Sequence, residues 1–206
     1  MNTTKVTWTC PSNIAIVKYW GKKGNQIPCN SSLSLTLSNS FTQVEAELSA
    51  KTADDLVQLT YYFEGEINEK FGPHSAGIAS SASAFGAISL ALLDIAYTLE
   101  NKELDDEFYA KASYLARLGS GSASRSMFPG YAMWGENDKI SNSSNEYAIE
   151  VKNIHPTFRN MKDAILIVED EPKKVSSSVG HSLMNNHPYA ENRFKQAIDR
   201  TSELVE

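Results

Sequence analysis

The stretch Pro73-His74-Ser75-Ala76-Gly77-Ile78-Ala79-Ser80-Ser81-Ala82-Ser83-Ala84 decides how the rest of the chain is arranged. It combines small side chains, one glycine and two adjacent serines, and the apolar run 85–99 follows it. Small residues let backbone N–H groups approach a bound group, and a helix that begins there directs the positive end of its dipole at that group. The stretch therefore predicts either a phosphate cradle or a closely packed helix start, and its residues alone favour neither.

The residues after this stretch predict helices. Apolar side chains cover nearly all faces between 77 and about 99, which is typical of a central, buried helix. A second helix, from about 105 to 118, has one apolar face, and Gly119 is expected to cap it. Two more helices are expected to begin near 175–178, with a serine as the N-cap, and at Pro188.

Alternation of apolar and polar residues predicts strands. A turn at 11–13 is expected to separate the first two strands, and a turn at 64–66 to follow the fifth. The predicted strands are 5–10, 14–20, 33–37, 44–48, 56–63, 131–135, 147–152 and 163–169. A largely antiparallel sheet combined with helices predicts an α+β fold.

Composition and charge limit the partners. The 206 residues suffice for one domain or two small ones, and a net charge of −6 argues against a general nucleic-acid surface. Cys10 and Cys29 have no metal-ligand spacing and are expected to be free thiols. No secretory signal is visible, and no apolar run approaches the roughly 18 residues of a membrane span. We therefore expect a cytoplasmic protein without nucleic-acid or membrane partners.

Hydroxyl-rich and basic segments are the candidates for chemistry. Small, hydroxyl-rich residues occupy 75–83, 119–126 and 176–178, and the segment 18–23 reads Lys-Tyr-Trp-Gly-Lys-Lys. Backbone N–H groups, hydroxyls and fixed cations are the groups that hold di- and triphosphates, because phosphoryl transfer depends on positioning and electrostatic stabilisation.

Individual cations and histidines leave alternatives open. Lys18 either serves such a site or extends to water from an edge strand. Arg125 either binds a carboxylate or phosphate through two N–H groups or lies on the surface. The four histidines have no metal-ligand spacing, so no structural metal is expected, and His74 is interpreted as structural.

These residues, in this order, resemble the diphosphomevalonate decarboxylases of the GHMP kinase superfamily. The segment 73–82 is similar to the superfamily's phosphate-binding motif, with Ile78 where leucine is usual. The signatures Lys-Tyr-Trp-Gly-Lys (18–22) and Gly-Ser-Gly-Ser-Ala-x-Arg (119–125) are specific to the decarboxylases among their kinase relatives. Other segments that resemble the decarboxylases are 11–17, 30–37, 130–131 and 175–177.

The resemblance implies a fold and a reaction. The fold is a GHMP-kinase-like N-terminal half similar to ribosomal protein S5 over 1–170, followed by the start of a C-terminal α+β half over 171–206. The reaction is the ATP- and Mg²⁺-dependent decarboxylation of mevalonate 5-diphosphate to isopentenyl diphosphate, ADP, phosphate and carbon dioxide. ATP phosphorylates the tertiary hydroxyl, that phosphate leaves, and electrons from the departing carboxylate form the double bond. Many members are homodimers, so a homodimer is one expected state.

The resemblance also assigns roles by motif position. Arg125 orients the carboxylate and offsets charge as phosphate departs. The residues implied to be catalytic are Lys18, Ser122 and Arg125. The residues implied to contact the substrate are Asn13, Tyr19, Lys22, Ser120, Ser122 and Arg125. The residues implied to contact ATP are Gly77, Ala79, Ser80, Ser81, Ser176 and Ser177, with Ser81 facing the Mg²⁺.

Two departures from the family pattern put activity in question. Family members carry a longer segment, ending in a buried strand, before the phosphate loop, whereas 63–72 is short and polar and enters Pro73 directly. The family's catalytic aspartate lies in a later Asp-Ala-Gly-type motif, which does not occur before Glu206. We therefore expect a shortened form. The alternatives are a related kinase that does not decarboxylate and a noncatalytic fragment that binds nucleotide or prenyl precursor.

Overall fold

Two long antiparallel strands frame the molecule, whose computed structural model describes residues 3–50, 58–67, 80–166 and 177–205. The strands are β1 (Thr4–Val17), β2 (Lys22–Lys23), β3 (Ile27–Pro28), β4 (Ser32–Leu48), β5 (Tyr62–Phe63), β6 (Glu66–Ile67), β7 (Tyr131–Trp134) and β8 (Ala148–Glu150). The helices are α1 (Ser80–Leu99), α2 (Asp106–Gly119), α3 (Ser177–Ser182) and α4 (Ala190–Val205), with 3₁₀ segments at Gly121–Met127 and Pro156–Phe158. The α+β prediction is confirmed.

The main sheet has the order β1-β4-β7-β8, and all of its pairs are antiparallel. The β1–β4 ladder extends from the pair Thr4 and Leu48 to the pair Val17 and Leu33. Strand β7 pairs with β8 on one side and, on the other, with the first residues of β4, where Ser32 lies opposite Trp134. The first residues of β4 therefore lie between two neighbouring strands at the centre of the sheet.

Two strand predictions divide what the structure joins. The expected turn at 11–13 is an irregularity within β1, with a register shift between Pro11 and Asn13, because proline cannot donate to the ladder. The predicted strands 33–37 and 44–48 are both parts of β4. Strand β1 ends at Val17, so the segment 18–20 was wrongly predicted as a strand.

Other boundaries also differ from the predictions. The predicted turn at 64–66 is found between β5 and β6. Gly119 is the last residue of α2, and it is Ser120 that donates its backbone N–H to the Ala116 carbonyl as the cap. Residues 58–61 and 163–166, which were predicted to lie in strands, do not, and 56–57 and 167–169 lie outside the described residues.

Helix α1 forms the core, as its all-round apolar pattern predicts. It packs against β1 and β4 on one side and α2 on the other, and its buried side chains contact Phe108 and Ala112 of α2. At Gly86 a Cβ would lie 2.3 Å from the Cys10 Sγ, so only glycine permits this approach to β1. Cys10 and Cys29 are free thiols, as expected.

The length and composition of α1 correct one expectation. By length and composition, the 20 residues of this helix are long and apolar enough to cross a membrane. The statement that no run approaches that length was therefore wrong. In this fold, 56% of the apolar stretch is buried against the rest of the protein, and the central helix of a domain can be equally long and apolar.

Helix α4 is attached to the sheet by a buried polar network. The Asn137 amide donates to the Ser31 Oγ at 3.3 Å and to the Ser202 Oγ at 3.0 Å, while the Thr201 Oγ1 is 3.4 Å from the Ser31 carbonyl. Asn137, Ser31, Thr201 and Ser202 are all buried. The network fixes the C-terminal helix beside the beginning of β4. The predicted domain boundary at 170 stays a prediction.

Candidate functional site

A buried arginine lies at the point where β1, β4 and the 3₁₀ segment 121–127 meet. The Arg125 side chain is 2% exposed. Its Nη1 donates to the Ser32 Oγ at 2.7 Å, and its Nη2 lies 3.4 Å from the Asn13 Oδ1. Its Nε has no hydrogen-bond partner among the described residues, and no ion pair within those residues includes Arg125. The surface alternative for Arg125 is therefore excluded.

The charge of Arg125 lies among neutral groups. Burial lowers the pKa of Arg125 from its ordinary value of 12.5 to about 10, so the guanidinium stays charged at neutral pH. The rings of Tyr19 and Trp134 lie 5.6 Å and 5.9 Å from its Cζ. A buried charge without a counterion is costly, and aromatic faces offset only part of the cost. The arrangement therefore suits a bound anion that would supply the missing charge and acceptor.

The partners of Arg125 are themselves held in place. The Asn13 amide nitrogen donates to the Ser122 carbonyl at 3.0 Å and to the Ser126 Oγ at 2.7 Å, so its Oδ1 turns toward the arginine. The Ser32 Oγ donates to the Trp134 carbonyl at 3.2 Å, which leaves a lone pair for the guanidinium. Asn13 is buried and directly follows the register shift of β1, so the irregular part of the strand carries a residue of the site.

Gly121 lets the aromatic rings approach the beginning of the 3₁₀ segment. A Cβ at this position would lie 2.9 Å from the Trp134 ring and 3.2 Å from the Tyr19 hydroxyl. The Tyr19 and Trp134 rings meet edge to face, with centroids 5.0 Å apart. Burial raises the pKa of the Tyr19 phenol, and the neighbouring Arg125 charge acts in the opposite direction. The phenol is therefore a neutral donor at physiological pH.

A line of serine hydroxyls joins the arginine site to the N-terminus of α1. The Oγ atoms of Ser81 and Ser120 lie 3.4 Å apart, and those of Ser120 and Ser122 lie 3.3 Å apart. Ser80 is the first described residue of α1, and the first turn of this 20-residue helix contains no acidic residue. Hydroxyls at the positive end of a helix dipole fit a polyphosphate chain.

Two lysines lie in the segment after β1. Lys18 is exposed, and its main-chain carbonyl accepts a hydrogen bond from the buried Asn30 amide at 3.1 Å. Lys22 begins β2, and its Nζ donates to the Gln26 Oε1 at 2.9 Å. Burial lowers the pKa of Lys22. Lys18 directly follows the last residue of β1, and its side chain is exposed, as the alternative of a lysine that extends to water predicts. Its role in the site stays a prediction.

The structure groups most of the described candidates in one region. Asn13, Tyr19, Ser122 and Arg125 are linked by direct contacts, and Ser81 and Ser120 join them through hydroxyls. Ser177 begins α3. The candidates Gly77, Ala79 and Ser176 lie outside the described residues. No group of three or more metal-binding side chains occurs in the described part of the chain.

The sequence motifs did not assign three side chains of this region to the site. Ser32 accepts from Arg125, Trp134 covers it, and His181 stacks on Tyr19 at a centroid distance of 4.4 Å. Ser32 lies within the segment 30–37, which resembles the decarboxylases, and it could have been selected as a hydroxyl at the start of a predicted strand. His181 follows Tyr19 by more than 150 residues, and no local pattern indicates their contact.

Comparison with known families gives a match over most of the chain. The profile described as the diphosphomevalonate decarboxylase-like N-terminal domain matches residues 10–70 and 67–146. The chain is 31% identical to the diphosphomevalonate decarboxylase of Debaryomyces hansenii, and the match covers 84% of this chain and 52% of that protein. The chain thus spans about half the length of the curated relatives it matches.

The solved structures with a similar fold include mevalonate diphosphate decarboxylases. The fold resembles the mevalonate diphosphate decarboxylase of Staphylococcus aureus with a TM-score of 0.71 and 27% identity, over 97% of this chain and 65% of that chain. It resembles the Enterococcus faecalis enzyme with a TM-score of 0.53 and 29% identity, over 73% of this chain and 53% of that chain.

The alignments also bear on the short segment before Pro73. The two matched parts of the family profile meet and overlap at 67–70. The alignment with the D. hansenii protein extends over 212 positions although it includes only 84% of this 206-residue chain. That relative therefore has internal residues without a counterpart here, in agreement with the short connection that the sequence indicates.

Proposed function

We propose that this chain, which belongs to the diphosphomevalonate decarboxylase family, forms the part of the decarboxylase that holds mevalonate 5-diphosphate beside ATP. The reaction would yield isopentenyl diphosphate, ADP, phosphate and carbon dioxide. The buried Arg125, whose Nε has no partner in the described part of the chain, carries the proposal. A fixed cation with an unused donor binds a planar carboxylate or a phosphate oxygen well.

Arg125 would act by electrostatics and orientation. Its two Nη groups are fixed by Ser32 and Asn13, so the direction in which Nε points is set before the substrate arrives. A substrate carboxylate bound there would be oriented for cleavage, and the same charge would offset the negative charge that develops as phosphate leaves. Because this preorganisation requires no rearrangement, the buried charge would contribute more in the transition state than it could in water.

The lysines and serines would hold phosphate groups. Lys18 is exposed and directly precedes Tyr19, so it would contact an anion from solvent, and Lys22 would add a second positive charge. The Ser81, Ser120 and Ser122 hydroxyls would donate to phosphate oxygens along the path from Arg125 to α1. Mg²⁺-bound ATP supplies the phosphoryl group, and Ser81 is the described residue best placed to face it.

The known binding of relatives supports this assignment. Mevalonate diphosphate mediates ATP binding in the E. faecalis enzyme. Another solved structure of similar fold, MDDEF, is a complex with MVAPP, the ATP analogue AMPPCP and magnesium. A cytoplasmic location and a homodimer stay predictions.

A reaction containing Mg-ATP and mevalonate 5-diphosphate tests the proposal when ADP and carbon dioxide are followed together. Release of both in equal amounts supports the decarboxylase, and ADP alone indicates a kinase. Arg125→Leu is expected to reduce turnover by about a thousandfold, while ATP binding changes little.

The control is Arg200→Leu, which removes an exposed arginine of α4 that is paired with Glu203. This variant should react like the unchanged chain. Unchanged turnover in Arg125→Leu would contradict the proposed role. If the folded chain gives neither product and binds no mevalonate 5-diphosphate, the proposal fails for this chain.

A further inference from the structure

Helix α3 brings a histidine against the segment that follows β1. The imidazole of His181 stacks on the Tyr19 ring with a centroid distance of 4.4 Å and an interplanar angle of 12°. Its Nδ1 lies 3.3 Å from the Trp20 carbonyl oxygen, to which it donates. One side chain therefore contacts two consecutive residues of the segment through two different interactions.

The contact completes the enclosure of Tyr19. The Tyr19 ring touches the edge of Trp134 and lies 5.6 Å from the Arg125 guanidinium carbon. Three groups thus surround the ring, and His181 is the one that comes from the C-terminal part of the chain. If His181 were removed, the Tyr19 ring would lose a parallel stacking partner. Such contacts between rings stabilise a structure beyond the effect of the area they bury.

The next residue is held from the same side. The guanidinium carbon of Arg193, in α4, lies 4.1 Å from the centroid of the Trp20 ring. The Trp20 backbone N–H also donates to the Asn30 Oδ1 at 3.0 Å. The segment between Lys18 and Lys22 is therefore fixed by α3 and α4 together with the turn that precedes β4.

The charges around His181 favour its neutral form. Burial lowers the pKa of His181 most, Lys22 and Lys18 lower it further, and the hydrogen bond to the Trp20 carbonyl raises it. Arg125 lies on the same Tyr19 ring, so the charged groups of the described residues that act on this region are cations. A neutral imidazole can stack on the phenol without adding positive charge, so its contribution is geometric.

We propose that His181 is a positioning residue for the anion site. It holds the Tyr19 ring and the Trp20 carbonyl, and so it fixes the segment that carries Lys18 and Lys22 next to the ring that lies on Arg125. His181 acts through these neighbours and is not placed against the reacting atoms. The proposal rests on the function proposed above, since it needs the site to bind mevalonate 5-diphosphate.

Four variants of the full chain test the role: His181→Ala, His181→Phe, His187→Ala and Arg125→Leu. Calorimetry measures the Kd for mevalonate 5-diphosphate, and ¹³Cζ-tyrosine NMR measures the pKa of Tyr19. His181→Ala is expected to weaken binding about tenfold and to lower the raised pKa of Tyr19, because the ring becomes exposed. His181→Phe should restore most of both properties because it keeps a stacking ring. The exposed His187 is the matched control, and its replacement should change neither property.

The outcomes separate the two proposals. If His181→Ala binds like the unchanged chain while Arg125→Leu does not, the positioning role is overturned and the anion site stands. If His181→Phe binds as weakly as His181→Ala, stacking on Tyr19 does not position the site, and the role that the inference gives to the stacked ring is overturned. If the unchanged chain and Arg125→Leu bind equally, the proposed function fails, and this inference fails with it.

Discussion

Two arginines of this protein are each 2% exposed, yet their surroundings differ completely. Around Arg117, at the end of α2, the Nε donates to the Glu146 carbonyl at 2.8 Å, the Nη1 donates to the Asn25 carbonyl, and the Nη2 pairs with the Glu146 carboxylate at 2.6 Å. Around Arg125, a serine and an asparagine are the polar partners, and Nε has none in the described ranges.

The difference separates a structural role from a binding role. Arg117 uses all three of its nitrogens within the protein, so its charge is neutralised and it joins α2 to the loop before β8. Arg125 is fixed in direction but pairs with no carboxylate of the described residues, and it therefore keeps its binding capacity for an outside anion. Burial alone does not distinguish the two residues, whereas the list of partners does.

The largest expected effect in this comparison is on folding. Arg117→Leu should lower the free energy of unfolding by about 3 kcal/mol, because two main-chain carbonyls lose their donors and the ion pair to Glu146 is broken. Urea unfolding followed by circular dichroism measures the change, with Arg200→Leu as the exposed control. A loss below about 1 kcal/mol would mean that Arg117 is not the structural member of the pair.

A smaller effect is expected at the edge of the anion site. Lys18→Ala should weaken binding of mevalonate 5-diphosphate by about tenfold, since an exposed lysine contributes less than a buried arginine. Calorimetry at two salt concentrations measures it, and the salt dependence of the Kd should decrease in the variant. An unchanged Kd with the salt dependence intact would assign Lys18 a structural role instead.

The smallest effect is expected for Arg125 itself when folding is measured. Arg125→Leu should change the free energy of unfolding by less than about 1 kcal/mol, because the lost hydrogen bonds are offset by removal of a buried charge that lacks a counterion. The same urea experiment gives the value beside that of Arg117→Leu. A loss as large as that of Arg117→Leu would show that Arg125 also stabilises the fold and would remove the contrast.

The sequence predicted the core of the fold well because the patterns there are local. The apolar run of α1 and the alternation along β4 each report a buried surface directly. The turn expected at 11–13 failed because Pro11 and Asn13 look like turn residues, while pairing with β4 keeps the strand continuous. Residues 163–166, where the apolar run to 168 predicts the start of a strand, pair with no strand among the described residues.

Only those site residues that belong to a recognisable sequence motif could be predicted. Arg125, Asn13, Tyr19 and the serines were named from segments of recognisable pattern, and the structure brings them together. His181 could not be named, because its contact with Trp20 joins residues 161 positions apart and depends on where α3 packs. A motif singled out Arg125, but no sequence pattern indicated that Arg117 is equally buried or that it pairs with Glu146.

The most direct test of this account is calorimetric titration of mevalonate 5-diphosphate into the unchanged chain, Arg125→Leu and Arg117→Leu, each at a temperature where it is folded. The account predicts that Arg125→Leu loses at least about a hundredfold in affinity, while Arg117→Leu binds within about threefold of the unchanged chain. Equal affinity of the unchanged chain and Arg125→Leu would contradict the claim that this buried arginine is the centre of an anion site.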